Sequence, residues 1–173
     1  VIMNELDSIK KKFGRKRRTV IDNCGEVVYE EKKLEEMDVV FLMDRFGYAK
    51  TIDLSAYERN KEAADAENKF VFQCKNTGRI CMFTNMGQLY TVKVQDLPFG
   101  KFRDKGIPID NVSNFNSSQE ELLLVTSQSE LNLYRVIFAT RMGMLKIVDG
   151  GEFDVAKRTV AATKLQEGDS VVS

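Results

Sequence analysis

The sequence predicts an all-β chain, a propeller-like array of about three antiparallel blades entered through the end of a helix. Three observations carry that expectation. First, one pattern recurs three times: Phe41-Leu42-Met43-Asp44-Arg45-Phe46-Gly47, Cys81-Met82-Phe83-Thr84-Asn85-Met86-Gly87 and Ile137-Phe138-Ala139-Thr140-Arg141-Met142-Gly143. Each copy reads as three apolar residues, two polar ones, a large apolar one and a glycine. Second, an extended run follows each glycine, at Ala49 to Leu54, Leu89 to Val94 and Leu145 to Val148. A strand that turns tightly and leaves as another strand calls for glycine, which takes a positive φ without steric cost. Third, the copies stand roughly 40–55 residues apart, the spacing of arrays in which one sheet unit stacks on the next.

The elements follow in chain order. In residues 1–13, Ile2, Leu6, Ile9 and Phe13 form one apolar stripe at helical spacing. Gly14 is placed to end that helix, and Lys10, Lys11 and Lys12 suit the negative end of its dipole. Arg15, Lys16, Arg17 and Arg18 extend the basic run, which reads either as a nucleic-acid contact or, more simply, as a solvated junction. Residues 20–36 read as an acidic linker with a short apolar patch at Val27, Val28 and Tyr29, able to add an edge strand or lie on the surface. From residue 37 onward the chain is β-rich, with strands expected over 38–43, 48–54, 69–74, 79–84, 88–94, 121–126, 131–140 and 144–149. Residues 58–67 have a helical look but read better as a charged loop or single turn. The large residue before each glycine (Phe46, Met86, Met142) is expected in the core or between blades.

Composition narrows the function. The chain has 173 residues, 43% hydrophobic and 30% charged, which is ordinary for a globular protein with a real core. No apolar run approaches a membrane span and no signal-peptide pattern opens the chain. The first residue is Val1, so a piece of a longer protein is expected. The cysteines Cys24, Cys74 and Cys81 are odd in number and form no secreted framework; buried thiols of a reducing cytoplasm are the simplest reading. Cys74 and Cys81 flank Asn76-Thr77-Gly78, which sets them face to face if the two runs pair. With no histidine anywhere, histidine-based triads and histidine-containing zinc sites are excluded. The net charge is zero, yet cations gather in particular loops, and local potential decides what a surface attracts.

Those loops are the candidate site. The first carries Arg59 and Lys61, the second Lys101, Arg103 and Lys105, and the third Lys157 and Arg158 followed by Lys164. Lys50, Lys93 and Lys146 on strands are weaker candidates. In equivalent positions, the loops would form a basic arc along one rim, suited to the regularly spaced phosphates of a duplex. A charged surface loop is the ordinary case, and Glu58, Glu62, Asp65 and Asp104 dilute the effect.

The chain resembles a known family. Lys12-Phe13-Gly14 with Arg17-Arg18-Thr19 is similar to the end of the coiled-coil arm in the A subunit of bacterial type IIA topoisomerases. Phe46-Gly47-Tyr48-Ala49-Lys50 and Gly87-Gln88-Leu89-Tyr90-Thr91-Val92-Lys93-Val94 resemble blades of the C-terminal domain of gyrase or topoisomerase IV. Leu97-Pro98 and Gly106-Ile107-Pro108-Ile109-Asp110-Asn111 resemble the loop after the second blade of that domain. The resemblance implies a β-pinwheel at 37–173, a coiled-coil end at 1–19, and double-stranded DNA held on a positive outer edge. It also implies a bacterial, cytoplasmic, nucleoid-associated parent enzyme. There DNA cleavage belongs to the rest of the A subunit, and ATP and Mg2+ act through other domains and the ATPase partner, the B subunit. No catalytic residue, cofactor or metal ligand is expected in this chain itself. Family domains carry five or six blades, against about three here. Gyrase has a basic, glycine-rich box in the first-blade loop, whereas Tyr57 to Glu67 is net acidic and lacks a glycine pair. The topoisomerase IV branch therefore fits better, with a DNA-wrapping gyrase domain as one alternative and a protein-interaction propeller as another.

Overall fold

A computed structural model describes residues 2–16, 19 and 35–173. The expectations placed on Arg17, Arg18, Cys24 and the rest of 20–34 fall outside the described residues. The chain forms two compact units, Val1–Lys33 and Leu34–Ser173.

In the first unit, α1 spans Ile2–Phe13. Gly14 N–H donates to the Lys10 carbonyl at 2.8 Å, ending the helix where the sequence puts its stop. Ile2, Leu6, Ile9 and Phe13 are all exposed.

The second unit begins inside the expected linker, because Glu36 pairs with Lys75 at 2.8 Å and the Glu35 carbonyl accepts from Asn76. Its elements are β1 (Asp38–Asp44), β2 (Tyr48–Asp53), α2 (Leu54–Arg59), α3 (Lys61–Glu67), β3 (Asn68–Lys75), β4 (Arg79–Thr84), β5 (Gln88–Lys93), β6 (Phe99–Gly100), β7 (Ile107–Pro108), β8 (Leu122–Ser127), α4 (Gln128–Leu131), β9 (Arg135–Ala139), β10 (Leu145–Asp149) and β11 (Thr159–Ala161).

Each repeated pattern is a hairpin: β1–β2, β4–β5 and β9–β10. The turns share one chemistry. Gly47, Gly87 and Gly143 have φ of 84, 69 and 80°, and each donates its N–H to the residue three back: Asp44, Thr84 and Thr140. That geometry corrects one expectation. The residue before each glycine lies at the tip of a turn projecting beyond the sheet, so Phe46, Met86 and Met142 are exposed (87, 50 and 55%) rather than packed between blades.

The hairpins become sheets through strands borrowed from further along the chain. The first sheet runs β3-β1-β2-β6, with β7 also on β2, and the second runs β11-β5-β4-β8. Thus β6 and β7, which follow the second hairpin, complete the first sheet, while β11, which follows the third, completes the second. β9 and β10 form the third sheet, and Val171 bridges to Thr140. Val171 stands against Thr140 as Leu122 stands against Thr84 and Asn68 against Asp44.

Stacking follows from two-sided burial. Val39, Phe41 and Met43 of β1 face Ile80, Met82, Tyr90 and Val92 across one core. The alternate residues Val40 and Leu42 pack with Ile52 and Ala64 under α2 and α3. From the opposite face of the second sheet, Cys81, Phe83 and Leu89 meet Phe138, Val148 and Phe153 of the third module. The continuous apolar runs of β1 and β4 are therefore strands covered on both faces, which alternation alone would not reveal, whereas the third hairpin is covered on one face and leaves Ile137, Leu145 and Ile147 exposed.

Three further expectations change. Residues 54–67 form two short helices, not a loop: Asp53 caps α2 by accepting from Ser55 N–H, and Leu54, Ala56 and Tyr57 pack on the first sheet. Residues 131–134 are not strand, because α4 is capped by Ser127 and the chain turns before Arg135. Cys74 and Cys81 do not face one another, since β3 and β4 lie in different sheets. Both are buried free thiols, and burial pushes them up to about 11 and about 12.

Tyr90 links the second sheet to the loop above it, donating to Glu120 at 2.6 Å, while Glu120 Oε2 is buried without a partner. Burial, reinforced by Glu120, pushes the phenol from 10.0 to about 12. The neutral phenol is favoured in the folded state, so its contribution is complete below pH 10 and fades as pH rises from 10 towards 12. Tyr90→Phe is expected to cost about 1.5–3 kcal/mol at pH 7. That gap should narrow by up to about 2–3 kcal/mol by pH 12 in urea unfolding, and a gap constant with pH would contradict this assignment.

Candidate nucleic-acid interface

The second cationic loop is held in one shape before any partner arrives. It leaves β5 through Val94–Asp96, runs along β2 as β6, swings outward over residues 101–106 and returns as β7. At its tip, Lys101 N–H donates to Asp104 Oδ2 at 2.7 Å and Asp104 N–H returns to the Lys101 carbonyl at 3.0 Å. The turn therefore closes on itself, with Lys101 and Arg103 exposed on either side of Phe102. Underneath, Lys50 donates to the carbonyls of Phe102 (2.5 Å) and Asp104 (2.9 Å), and its Nζ lies 5.4 Å from the Phe102 ring centroid. Lys50 is thus committed to holding the loop. Lys105 stands over the Tyr48 ring at 4.9 Å.

Gly106 permits the return. A Cβ there would sit 2.5 Å from the Ala49 carbonyl oxygen and 2.8 Å from its carbon, and neither backbone atom has a flexible end that can yield. Gly106→Ala is expected to peel β7 from β2 and cost about 1–3 kcal/mol. Thermal melting should show it as a lowered Tm; an unchanged Tm would mean the close approach is not needed.

Seating the loop on β2 brings it against α2. Arg59, Asn60, Phe99, Lys101, Phe102 and Arg103 line one groove of about 700 Å³. Arg59 also donates Nε–H to the Ser55 carbonyl at 3.1 Å, which steadies it along α2. Three predicted cations, one from α2 and two from the second loop, thus meet in one place. Asp53 and Asp104 are the acids of the groove, each engaged by a backbone N–H.

The third loop repeats the seating one blade on. Thr51 N–H donates to the Pro98 carbonyl and Thr91 N–H to the Arg158 carbonyl, both at 2.9 Å; Ile109 N–H donates to Gly47 O and Ala162 N–H to Gly87 O, at 2.9 and 2.8 Å. Pro98 and Arg158 are therefore equivalent, and the second loop is the same connection with an outward excursion inserted. Lys157 is exposed, and Arg158 stands 3.8 Å from Asp96. Lys93 is exposed at the end of the same β5. Lys146 and Lys164 share a cleft on the third module. The first pair differs: Arg59 and Lys61 lie on helices, and α3 carries Glu62, Asp65 and Glu67 against Lys61. Two loops, not three, occupy equivalent positions.

Arg45, absent from the cations predicted above, lies at the first hairpin tip and lines a cleft with Lys50 and Lys105. Its signal was available, since turn tips project cations as surely as loops do. Among the described residues, no cluster of three potential metal ligands occurs and no helix is long and apolar enough to cross a membrane.

Lateral stacking, strand exchange and antiparallel blades define a β-pinwheel domain. The DNA gyrase C-terminal β-propeller model matches residues 78–115 and 134–173. The A subunit of DNA gyrase from Neisseria gonorrhoeae is 28% identical over 99% of this chain and 20% of that protein. The corresponding gyrase protein of Streptococcus pneumoniae serotype 4 is 27% identical over all of this chain and 23% of its own length. The crystal structure of a topoisomerase IV C-terminal domain superposes with a TM-score of 0.69 at 22% identity, covering 81% of this chain and 46% of that one. The E. coli ParC C-terminal domain gives 0.59 at 16%, covering 78% and 54%. The chain is thus similar to the C-terminal domains of DNA gyrase A subunits and shares the fold of the topoisomerase IV C-terminal domain, and it spans about a fifth of the length of the curated relatives it matches.

Proposed function

We infer that this chain is a DNA-binding, duplex-selecting domain of the topoisomerase IV type, preceded by the end of a coiled-coil arm. The observation that carries this reading is the groove in which Arg59, Lys101 and Arg103 converge on a loop braced by Lys50 and Asp104. Phosphates reward fixed cations, because little side-chain or loop freedom is lost on binding. Lys105, Lys157, Arg158, Lys93, Lys146, Lys164 and Lys61 extend the positive surface, with Lys50 acting from beneath.

The branch rests on the first blade. Wrapping DNA with a fixed hand needs close backbone approach to phosphate, which glycine permits. Here that segment is two glycine-free helices, and α3 is net acidic. The domain accordingly holds a duplex near a cleavage core without writhing it. In the parent enzyme, strand passage, DNA cleavage, ATP and Mg2+ belong to the rest of the A subunit and to the ATPase-bearing B subunit, in the bacterial cytoplasm at the nucleoid.

A protein-interaction role has one observation in its favour, a cleft of about 490 Å³ lined by Leu123, Leu124, Tyr134, Ile137 and Val172. Ligating nicked plasmid in the presence of the domain separates the readings. Salt-sensitive binding with an unshifted linking number is expected. A shifted linking number supports the gyrase-type alternative, and the absence of salt-sensitive binding supports the interaction module.

A further inference from the structure

The basic groove contains an aromatic side chain that phosphate chemistry does not use. Phe99 lies on β6 opposite buried Thr51, yet is 57% exposed and belongs to none of the hydrophobic clusters. Leaving a phenylalanine in water forgoes about 1.5–3 kcal/mol of burial. Phe102 in the same groove is different: half-buried, it packs against the cluster of Val40, Leu42, Ile52 and Ala64. After the equivalent anchors Pro98 and Arg158 the two chains part: Phe99 enters a parallel pairing opposite Thr51, whereas Thr159 runs back antiparallel opposite Tyr90, so Phe99 opens the inserted excursion and has no counterpart in the third loop. The third loop makes its connection without such a ring, and in the second loop the ring stands beside Arg59, Lys101 and Arg103.

Cations around a ring form the chemistry that binds unpaired bases, where the ring takes the base face and the cations the flanking phosphates. A paired, stacked duplex offers no base face to the side. We propose that this groove recognises an unpaired or unstacked nucleobase in DNA, with Phe99 as the stacking platform and Arg59, Lys101 and Arg103 holding its flanking phosphates. A groove of about 700 Å³ has room for one nucleotide. The inference rests on the DNA-binding reading above and adds that the site selects locally opened DNA.

The test uses the whole chain and three fluorescein-labelled probes: a paired duplex, the same duplex with a short bulge, and the bulged strand alone. Anisotropy titrations at fixed salt should show about tenfold tighter binding to the bulged and single-stranded probes than to the paired one, the effect of one base on one ring. Phe99→Thr removes the ring but keeps a strand-favouring, β-branched residue on β6; it should abolish the preference for the bulged and single-stranded probes. With 2-aminopurine at the bulge, wild type should alter the emission on binding and Phe99→Thr should not. Lys101→Glu with Arg103→Glu should weaken all three probes. Equal wild-type affinity for the probes, or a preference that survives Phe99→Thr, overturns the proposal and leaves the DNA-binding reading standing. Failure of every probe to bind overturns both.

Discussion

Reversing Lys101, Arg103 and Lys105 to glutamate together is expected to weaken binding of a mixed-sequence duplex by roughly 10²–10³-fold near 0.1 M salt. The slope of log affinity against log salt should become shallower by about 2.7, or about 0.9 for each phosphate no longer neutralised. The cause lies in how the loop is built. Its cations project from a closed turn braced by Asp104 and Lys50, so on the proposed reading they would meet phosphate with little loss of loop freedom. Removing them leaves Asp104 in place, and the net charge of the excursion changes sign. The effect should be similar for all sequences, because phosphate contacts carry no base information. Fluorescence titration across a salt series provides the measurement. An affinity and slope equal to wild type would remove these residues from the interface.

Phe41→Ala should have the largest effect on folding, about 3–5 kcal/mol. Typical domain stability is about 5–15 kcal/mol, so a large share would disappear. Phe41 is fully buried between the first two sheets and stacks on Phe72 with ring centroids 4.9 Å apart. A cavity there would open the layer on which β2 and the seated loop rest. Phe46→Ala at the hairpin tip is the matched control and should change stability by less than about 0.5 kcal/mol. Urea unfolding of the two variants gives the comparison. Equal losses would mean that the turn residue is packed after all, as its sequence pattern first implies.

Why some features were legible in sequence is physical. The hairpins could be read because each needs a glycine with positive φ after an apolar run, and Gly47, Gly87 and Gly143 supply it. The exposure of Phe46, Met86 and Met142 could not, since hydrophobicity says nothing about which side of a turn a residue occupies. The helices at 54–67 were hidden because each is under two turns long and is held by packing against Val40, Leu42 and Ile52 rather than by its own propensity. Strand exchange was hidden for a related reason: β6 and β7 have two residues each and β11 three, too few for any alternation to register. The cationic loops stood out in the sequence, but the groove did not. It exists because β6 crosses to the first sheet and brings Lys101 and Arg103 to Arg59.

The central claim is that a connection seated on the preceding blade creates the DNA contact. Backbone amide NMR of the chain during titration with a short duplex tests it most directly. Perturbations should concentrate at Arg59, at residues 99–105 and, more weakly, around Lys157 and Arg158. Perturbations confined to the apolar cleft of Leu124, Tyr134 and Ile137, or spread evenly with no focus on the seated loops, would contradict it.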